Sequence, residues 1–172
     1  RPASSSRRRR AGSTAHASGP YAWGWNYYGQ LGDGTTTSKN VPAEVLGFEG
    51  VTAIAGGWSH SLAVSSDGSV WAWGANTYGQ LGDGTTADRL VPVQVVGLTG
   101  VMAVAAGASH SLALKSDGTV WAWGANWYGQ LGNGTTTDQS APVQVSGLTG
   151  VIGIAAGQRH SLALKSDGTV WA

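Results

Sequence analysis

Three histidines, His60, His110 and His160, stand 50 residues apart, and each is followed by a serine. Imidazole is the commonest metal ligand and the usual general base at neutral pH, so a metal site and a Ser-His pair are the first chemistries to weigh. The spacing argues against both. A fixed period places each histidine at one position of a repeated unit, so the three lie apart around the assembled structure and do not converge on one ion. A serine adjacent to a histidine along a strand points to the opposite face, which removes Ser61, Ser111 and Ser161 as partners within their own strands. The expected role is structural, with a buried ring nitrogen hydrogen-bonded to the surrounding backbone.

A second candidate is the run Gly79-Gln80-Leu81-Gly82-Asp83-Gly84-Thr85-Thr86, which has the glycine content of a phosphate-cradling loop. It lacks the Lys-Ser/Thr ending of a nucleotide-binding loop, and no helix follows whose N-terminus could meet a phosphate. It also lacks the spaced carboxylates of a calcium loop. It recurs three times, with Asn133 replacing the aspartate in the last copy, as expected of a structural turn. Seven of the nine carboxylates are aspartates in turn or loop settings, and no acid/base couple is recognisable. The chain reads as not an enzyme, with no catalytic residue, cofactor or metal site expected.

The elements that carry these residues follow from the repeat, which is the first thing to establish in such a chain. Trp23-Gly24, Trp73-Gly74 and Trp123-Gly124 keep the 50-residue period without insertion or deletion, and 17 of 22 positions are identical between 101–122 and 151–172. Each unit holds four short apolar runs bounded by turn residues, the mark of short strands. In the second unit these are Val51 to Ala55, His60 to Val64, Ser69 to Trp73 and Val91 to Val96. Ser66-Asp67-Gly68 supplies a tight turn, and Pro92 predicts that the fourth strand lies at an edge, where no ladder donor is needed. Four-stranded meanders repeated at about 40 to 50 residues build β-propeller blades. The predicted class is all-β, with almost no helix.

Charge divides the chain. Residues 1–20 contain five arginines and no acid, whereas 21–172 contain five basic and nine acidic residues, a net of −4. The first 20 residues read as a disordered basic tail or leader remnant that cannot pack a core. Nucleic-acid binding would need a basic face on the folded part as well, and the composition argues against it. There is no cysteine, so disulfides and cysteine-rich zinc sites are excluded. No run is long and apolar enough for a membrane span, and no signal-peptide core is visible.

The pattern Val-x-Ala-Val-Ala-Ala-Gly-x-x-His-Ser-Leu-Ala-Leu-Lys-Ser-Asp-Gly-Thr-Val-Trp-Ala-Trp-Gly-x-Asn-x-Tyr-Gly-Gln-Leu-Gly, at 101–132, resembles the repeat of the regulator of chromosome condensation family, and the resemblance covers 21–172. It implies a seven-bladed propeller. Three repeats cannot close a ring that needs roughly four to eight blades, so the expected architecture is an open arc. Whole blades are expected at about 51–96 and 101–146, and partial ones at 21–46 and 151–172. The phase suits a natural start followed by truncation of a longer propeller. The alternative is several short chains closing one ring through exposed strand edges, a form of self-assembly.

Function is sought where the repeats differ. The pairs Trp58-Ser59, Ala108-Ser109 and Gln158-Arg159 occupy one loop in successive blades, and Trp25, Tyr27, Thr77 and Trp127 vary in the long loop. Loops on one face of stacked repeats commonly form the recognition surface. Exposed aromatics beside arginine suit a protein-interface hot spot, so Trp25, Tyr27, Trp58, Trp127, Gln158 and Arg159 are the candidate partner-binding residues. The resemblance implies three uses. Secreted bacterial members inhibit an enzyme by occluding it with their loops, which makes a secreted or cell-surface, noncatalytic protein-binding module the leading expectation. A nuclear member is a guanine-nucleotide exchange factor for a small GTPase, although this chain shows no insertion matching its exchange wedge. A photoreceptor member uses a Gly-Trp-Arg-His-Thr motif, which Gly57-Trp58-Ser59-His60 and Gly157-Gln158-Arg159-His160 match only in halves. A carbohydrate-binding surface, stacking sugars on aromatic loops, is a further alternative.

Overall fold

The computed structural model describes residues 19–172; the tail predicted for residues 1–20 lies, up to residue 18, outside them. Among the described residues every regular element is a strand. A two-stranded sheet of β1 (Tyr21–Gly24) and β2 (Lys39–Glu44) comes first. The first whole blade is β3 (Val51–Gly56), β4 (His60–Ser65), β5 (Val70–Gly74) and β6 (Arg89–Gln94), paired antiparallel in that order. The second repeats it as β7 (Val101–Ala106), β8 (His110–Lys115), β9 (Val120–Gly124) and β10 (Gln139–Gln144). A three-stranded sheet of β11 (Val151–Ala156), β12 (Ser161–Lys165) and β13 (Val170–Trp171) follows. The sheets remain open and do not form a closed barrel.

The local sequence explains each meander. Between β4 and β5, Gly68 has φ of 78° and its N–H reaches the Ser65 carbonyl, while the Asp67 carboxylate accepts from Ser69 N–H, so the turn satisfies its own donors. β6 pairs only with β5, as Pro92 requires of an edge. The fourth strand nevertheless starts and ends two residues earlier than the apolar run 91–96 suggests. Arg89 already pairs with Gly74 across a bulge. Val95 N–H still reaches the Val70 carbonyl and its side chain is buried, but Val96 N–H turns to the Gly82 carbonyl of the long loop and its side chain is exposed, so the run's end leaves the ladder.

Neighbouring blades are joined by one set of contacts that recurs every 50 residues. Trp123 Nε1 donates to the Gln80 carbonyl at 2.9 Å, and Trp73 Nε1 to the Gln30 carbonyl at 2.9 Å, so each indole crosses into the loop of the preceding blade. Ser111 and Ser61 hydroxyls donate to the same two carbonyls. Towards the outer edge, Gly84 N–H donates to Ser140 and Gly34 N–H to Leu90. At the other end of the blades, Val101 N–H donates to Gly68 and Val151 N–H to Gly118. Burying one indole is worth about 4 kcal/mol of transfer free energy, against roughly 1 kcal/mol net for its hydrogen bond. Apolar burial therefore holds the junction and the bond sets its register. The same tryptophan position is 3% exposed at Trp73, 0% at Trp123 and 63% at Trp23, which no described strand covers.

The junction requires glycine below the indole. A Cβ on Gly82 would lie 2.7 Å from Trp123 Nε1, whereas one on Gly84, also at positive φ, would meet nothing within 4 Å. Gly84→Ala should cost only the left-handed backbone strain of roughly 1 kcal/mol. Gly82→Ala should add an overpacking cost of about 1–3 kcal/mol. Thermal unfolding of the two variants should therefore separate by several degrees; equal midpoints would show that the indole yields freely.

Candidate functional site

The long loop between the third and fourth strands is built around a buried asparagine. Asn76 is wholly buried; its Oδ1 accepts from Leu81 N–H at 3.0 Å, and its Nδ2 donates to the carbonyls of Thr85 and Ala87 and to Asp83. Its own N–H donates to the Asp88 carboxylate at 2.7 Å. The side chains of Asn26 and Asn126 make the corresponding bonds in their loops, while their N–H groups donate to the Ser38 hydroxyl and the Asp138 carboxylate. One amide thus closes a loop that apolar packing alone could not, since short Gly-rich segments bury little surface. The glycine-rich run is a structural turn: Asp83 Oδ1 accepts from Thr85 N–H and hydroxyl, and its carboxylate pairs with Arg89 at 2.7 Å. Burial would raise the Asp83 carboxyl, but the bonds from Thr85 and Arg89 and the Arg89 charge outweigh it and hold it below the ordinary range. In the third copy, where Asn133 replaces the aspartate, Gln139 replaces the cation, so both charges disappear together.

His60 and His110 are buried in the junctions, with a partner that differs from the backbone expected, whereas His160 is exposed. His60 Nε2 lies 2.9 Å from Ser111 Oγ and His110 Nε2 lies 3.1 Å from Ser161 Oγ, in each case across the junction to the next blade. Sequence adjacency hid this pairing, because each serine serves the histidine 51 residues earlier. Ser111 Oγ already donates its proton to the Gln80 carbonyl, so His60 Nε2 must be the donor to Ser111. The histidine is then the wrong tautomer to act as base and the serine is buried, so the pair is a junction bond and not a nucleophilic dyad. Among the described residues no three ligating side chains converge as a metal site would need. Gly57 and Gly107 leave room for the rings: a Cβ on Gly57 would collide with the His60 imidazole.

The six candidate residues lie on the loop face in two neighbouring groups. Trp58, Trp127, Gln158 and Arg159 line one cleft of about 310 Å³, together with Tyr28 and Tyr78. Trp25 lines an adjoining cleft that also includes Trp58. Tyr27 lies outside both, stacked on Trp25 with ring centroids 6.3 Å apart. Trp58, 69% exposed, is thus the shared wall of the two clefts. Trp127 meets Tyr78 edge-on at 4.6 Å. Tyr128 stands beside this group, and comparison among repeats gives no signal for it, because tyrosine recurs at 28, 78 and 128. It is exposed, its ring lies 5.2 Å from the Arg159 guanidinium, and its hydroxyl accepts from Arg159 Nη1 at 3.2 Å.

An open arc of four-stranded blades with a variable aromatic loop face defines a β-propeller of the repeat type. The regulator of chromosome condensation (RCC1) repeat matches residues 21–64, 67–114 and 117–164, and a second form of that repeat matches 51–80 and 102–130. The chain belongs to the RCC1 repeat family. It is 39% identical over 61 residues to the ultraviolet-B receptor UVR8 of Arabidopsis thaliana, covering 34% of this chain and 14% of that one. Human WBSCR16 superposes with a TM-score of 0.78 at 29% identity, over 89% of this chain and 42% of that one. Yeast RCC1 (Prp20), in its structure bound to Kap60, superposes with a TM-score of 0.73 at 25% identity, over 87% of this chain and 38% of that one. The chain therefore spans less than half the length of each of these relatives.

The histidine junctions give a pH dependence. Burial, with the neighbouring His110 charge, lowers the His60 pKa to about 3, and burial, with the His160 charge, lowers that of His110 to about 4. Both fall below the ordinary value near 6.5, so the unfolded chain takes up protons first as the pH drops. Stability is full above about pH 6.5 and declines below it, by up to about 1.4 kcal/mol per pH unit for each histidine. Urea midpoints measured from pH 7 to pH 5, above the carboxylate range, should fall steadily in the native chain and less steeply in His110→Gln. A flat profile would show that the rings charge without opening the junction.

Proposed function

We propose that this chain is a noncatalytic protein-binding module whose loop face is the contact surface. The observation that carries the reading is the cluster of Trp58, Trp127, Gln158 and Arg159 in one cleft, with Trp25 in the next. Nothing in the fold requires these large side chains to be exposed, because Ala75, Ala108 and Ala125 occupy the equivalent places of Trp25, Trp58 and Trp25 in other repeats without disturbing the strands. Exposed tryptophan, tyrosine and arginine are the residue types that dominate interface energetics. The long loops that hold Trp25 and Trp127 are pinned by buried asparagines, and the turns that hold Trp58, Gln158 and Arg159 are closed by Gly57 N–H and Gly157 N–H on the carbonyls of His60 and His160, so little ordering entropy remains to oppose association.

One similarity supports a protein partner. The yeast RCC1 structure that superposes on this chain is a complex with Kap60. The related Prp20p structure, 23% identical, is described together with binding to Gsp1p and histones; that similarity supports the fold alone. Exchange-factor activity would require the face to accelerate nucleotide release from a small GTPase, which a pure binder does not do.

The test is a cross-linking capture followed by measurement of affinity for the partner recovered. Cross-links should map to the loops around residues 58, 127 and 159. Trp58→Ala combined with Trp127→Ala should weaken binding at least tenfold with an unchanged melting temperature, and a small GTPase carrying a fluorescent nucleotide should release it no faster in the presence of the chain. Cross-links confined to the opposite ends of the blades would refute the loop face, and accelerated release would replace binding by exchange.

A further inference from the structure

The folded part carries five cations, and four are neutralised within it. Lys39 pairs with Asp33, Arg89 with Asp83, Lys115 with Asp117 and Lys165 with Asp167, all within 4 Å. Arg159 alone has no carboxylate at such a distance among the described residues. It is instead held by an aromatic ring: Tyr128 lies beneath the guanidinium and occupies one N–H through its hydroxyl. The remaining N–H donors of the fork are left for another acceptor, and a planar carboxylate matches that fork with two parallel bonds.

Its setting favours an anion from outside. The cleft that contains Arg159 is lined by aromatic, small and amide side chains, and no acidic residue contributes to it. The body carries nine carboxylates and a net charge of −4, and their absence from the lining of this cleft leaves a local positive site on an acidic protein. The loop is also preorganised. Ala108 N–H donates to the Gln158 carbonyl at 3.2 Å, and Gly157 N–H to the His160 carbonyl at 3.0 Å, so the backbone on both sides of Arg159 is fixed. Beside the guanidinium, Trp58 and the Tyr78–Trp127 pair offer apolar surface.

We propose that this cleft receives an extended acidic segment of the partner protein, with Arg159 taking a carboxylate and Trp58 and Trp127 holding the apolar side chain next to it. The inference rests on the loop-face reading above and names the chemistry of its partner. A phosphate backbone fits less well, because nucleic-acid affinity is built from many phosphate contacts and this face supplies one cation. Tyr128 is a positioning residue: its ring and hydroxyl set the guanidinium plane before the ligand arrives.

The probe is a short fluorescent peptide alternating glutamate and leucine, compared by polarisation with the same peptide carrying glutamine for glutamate. The glutamate peptide should bind saturably and about tenfold more tightly than the glutamine peptide. Arg159→Gln should erase that difference, Arg159→Lys should restore part of it, and Tyr128→Phe should reduce it with no change in melting temperature. Added salt should weaken the glutamate peptide selectively. Equal binding of the two peptides, with both weakened by Trp58→Ala, would overturn the acidic partner while leaving the loop face intact. Displacement of the glutamate peptide by an equal concentration of a thymidine oligonucleotide would overturn the choice of carboxylate over phosphate. Absence of binding by either peptide would overturn the inference outright, and the cross-linking map would then decide the loop face independently.

Discussion

Trp73 and Trp123 each leave their own blade and enter the loop of the one before, where the indole N–H meets the carbonyl of Gln30 or Gln80. The Gln80 carbonyl is also the acceptor for Ser111, which His60 contacts, so this one backbone oxygen gathers an indole, a hydroxyl and, through the hydroxyl, an imidazole. Indole burial supplies most of the free energy, and the three polar groups limit it to one register. A blade shifted by one residue along its neighbour would bury the indole but strand the serine and the histidine. Buried polar groups without partners cost about 1–3 kcal/mol each, so the network makes slipped arrangements expensive.

The same loop serves the junction and carries part of the proposed contact face. In the second unit Gln80 gives its carbonyl to the junction while its side chain accepts from Tyr78 N–H. Thr77 and Tyr78, two or three residues away, reach the loop face. Asn76 ties both ends together from inside, and because its bonds go to the main chain, apart from those to Asp83 and Thr85, they do not depend on what occupies position 77. This separation lets tyrosine, threonine or tryptophan stand at 27, 77 and 127 without cost to the scaffold. The same holds for Trp58, Ala108 and Gln158, whose turn is set by the flanking glycine and histidine.

Much of this architecture was legible in the chain itself. The 50-residue period, the turn chemistry of Ser66-Asp67-Gly68 and the edge signal of Pro92 are local properties, and local properties survive folding. What was not legible depends on contacts between units. The fourth strand begins at Arg89 because Gly74 opposes it across a bulge, and beyond it Val95 is buried while Val96 gives its N–H to the long loop, which an apolar run alone does not reveal. The His-Ser bond joins residues 51 apart, whereas the visible pair is adjacent. At the candidate site, variation among repeats pointed to Trp58, Trp127, Gln158 and Arg159, which share a cleft. It could not separate Tyr27 from them, and it gave no signal for Tyr128, because tyrosine stands at 28, 78 and 128 alike.

A repeated scaffold presents chemically equivalent positions, and equivalence alone cannot orient a partner. Around this arc the loop after the first strand carries Trp58-Ser59, then Ala108-Ser109, then Gln158-Arg159, so the face changes from an indole through a shallow step to a guanidinium. The long loops run from Trp25 and Tyr27 through Ala75 and Thr77 to Ala125 and Trp127. On the loop face the symmetry of the repeats is therefore broken by side chains whose loops are already fixed. Because fixed loops leave little to reorganise, each such difference contributes to discrimination among ligands almost undiminished. A face graded from apolar to cationic over three blades has one preferred direction, which a uniform repeat would lack.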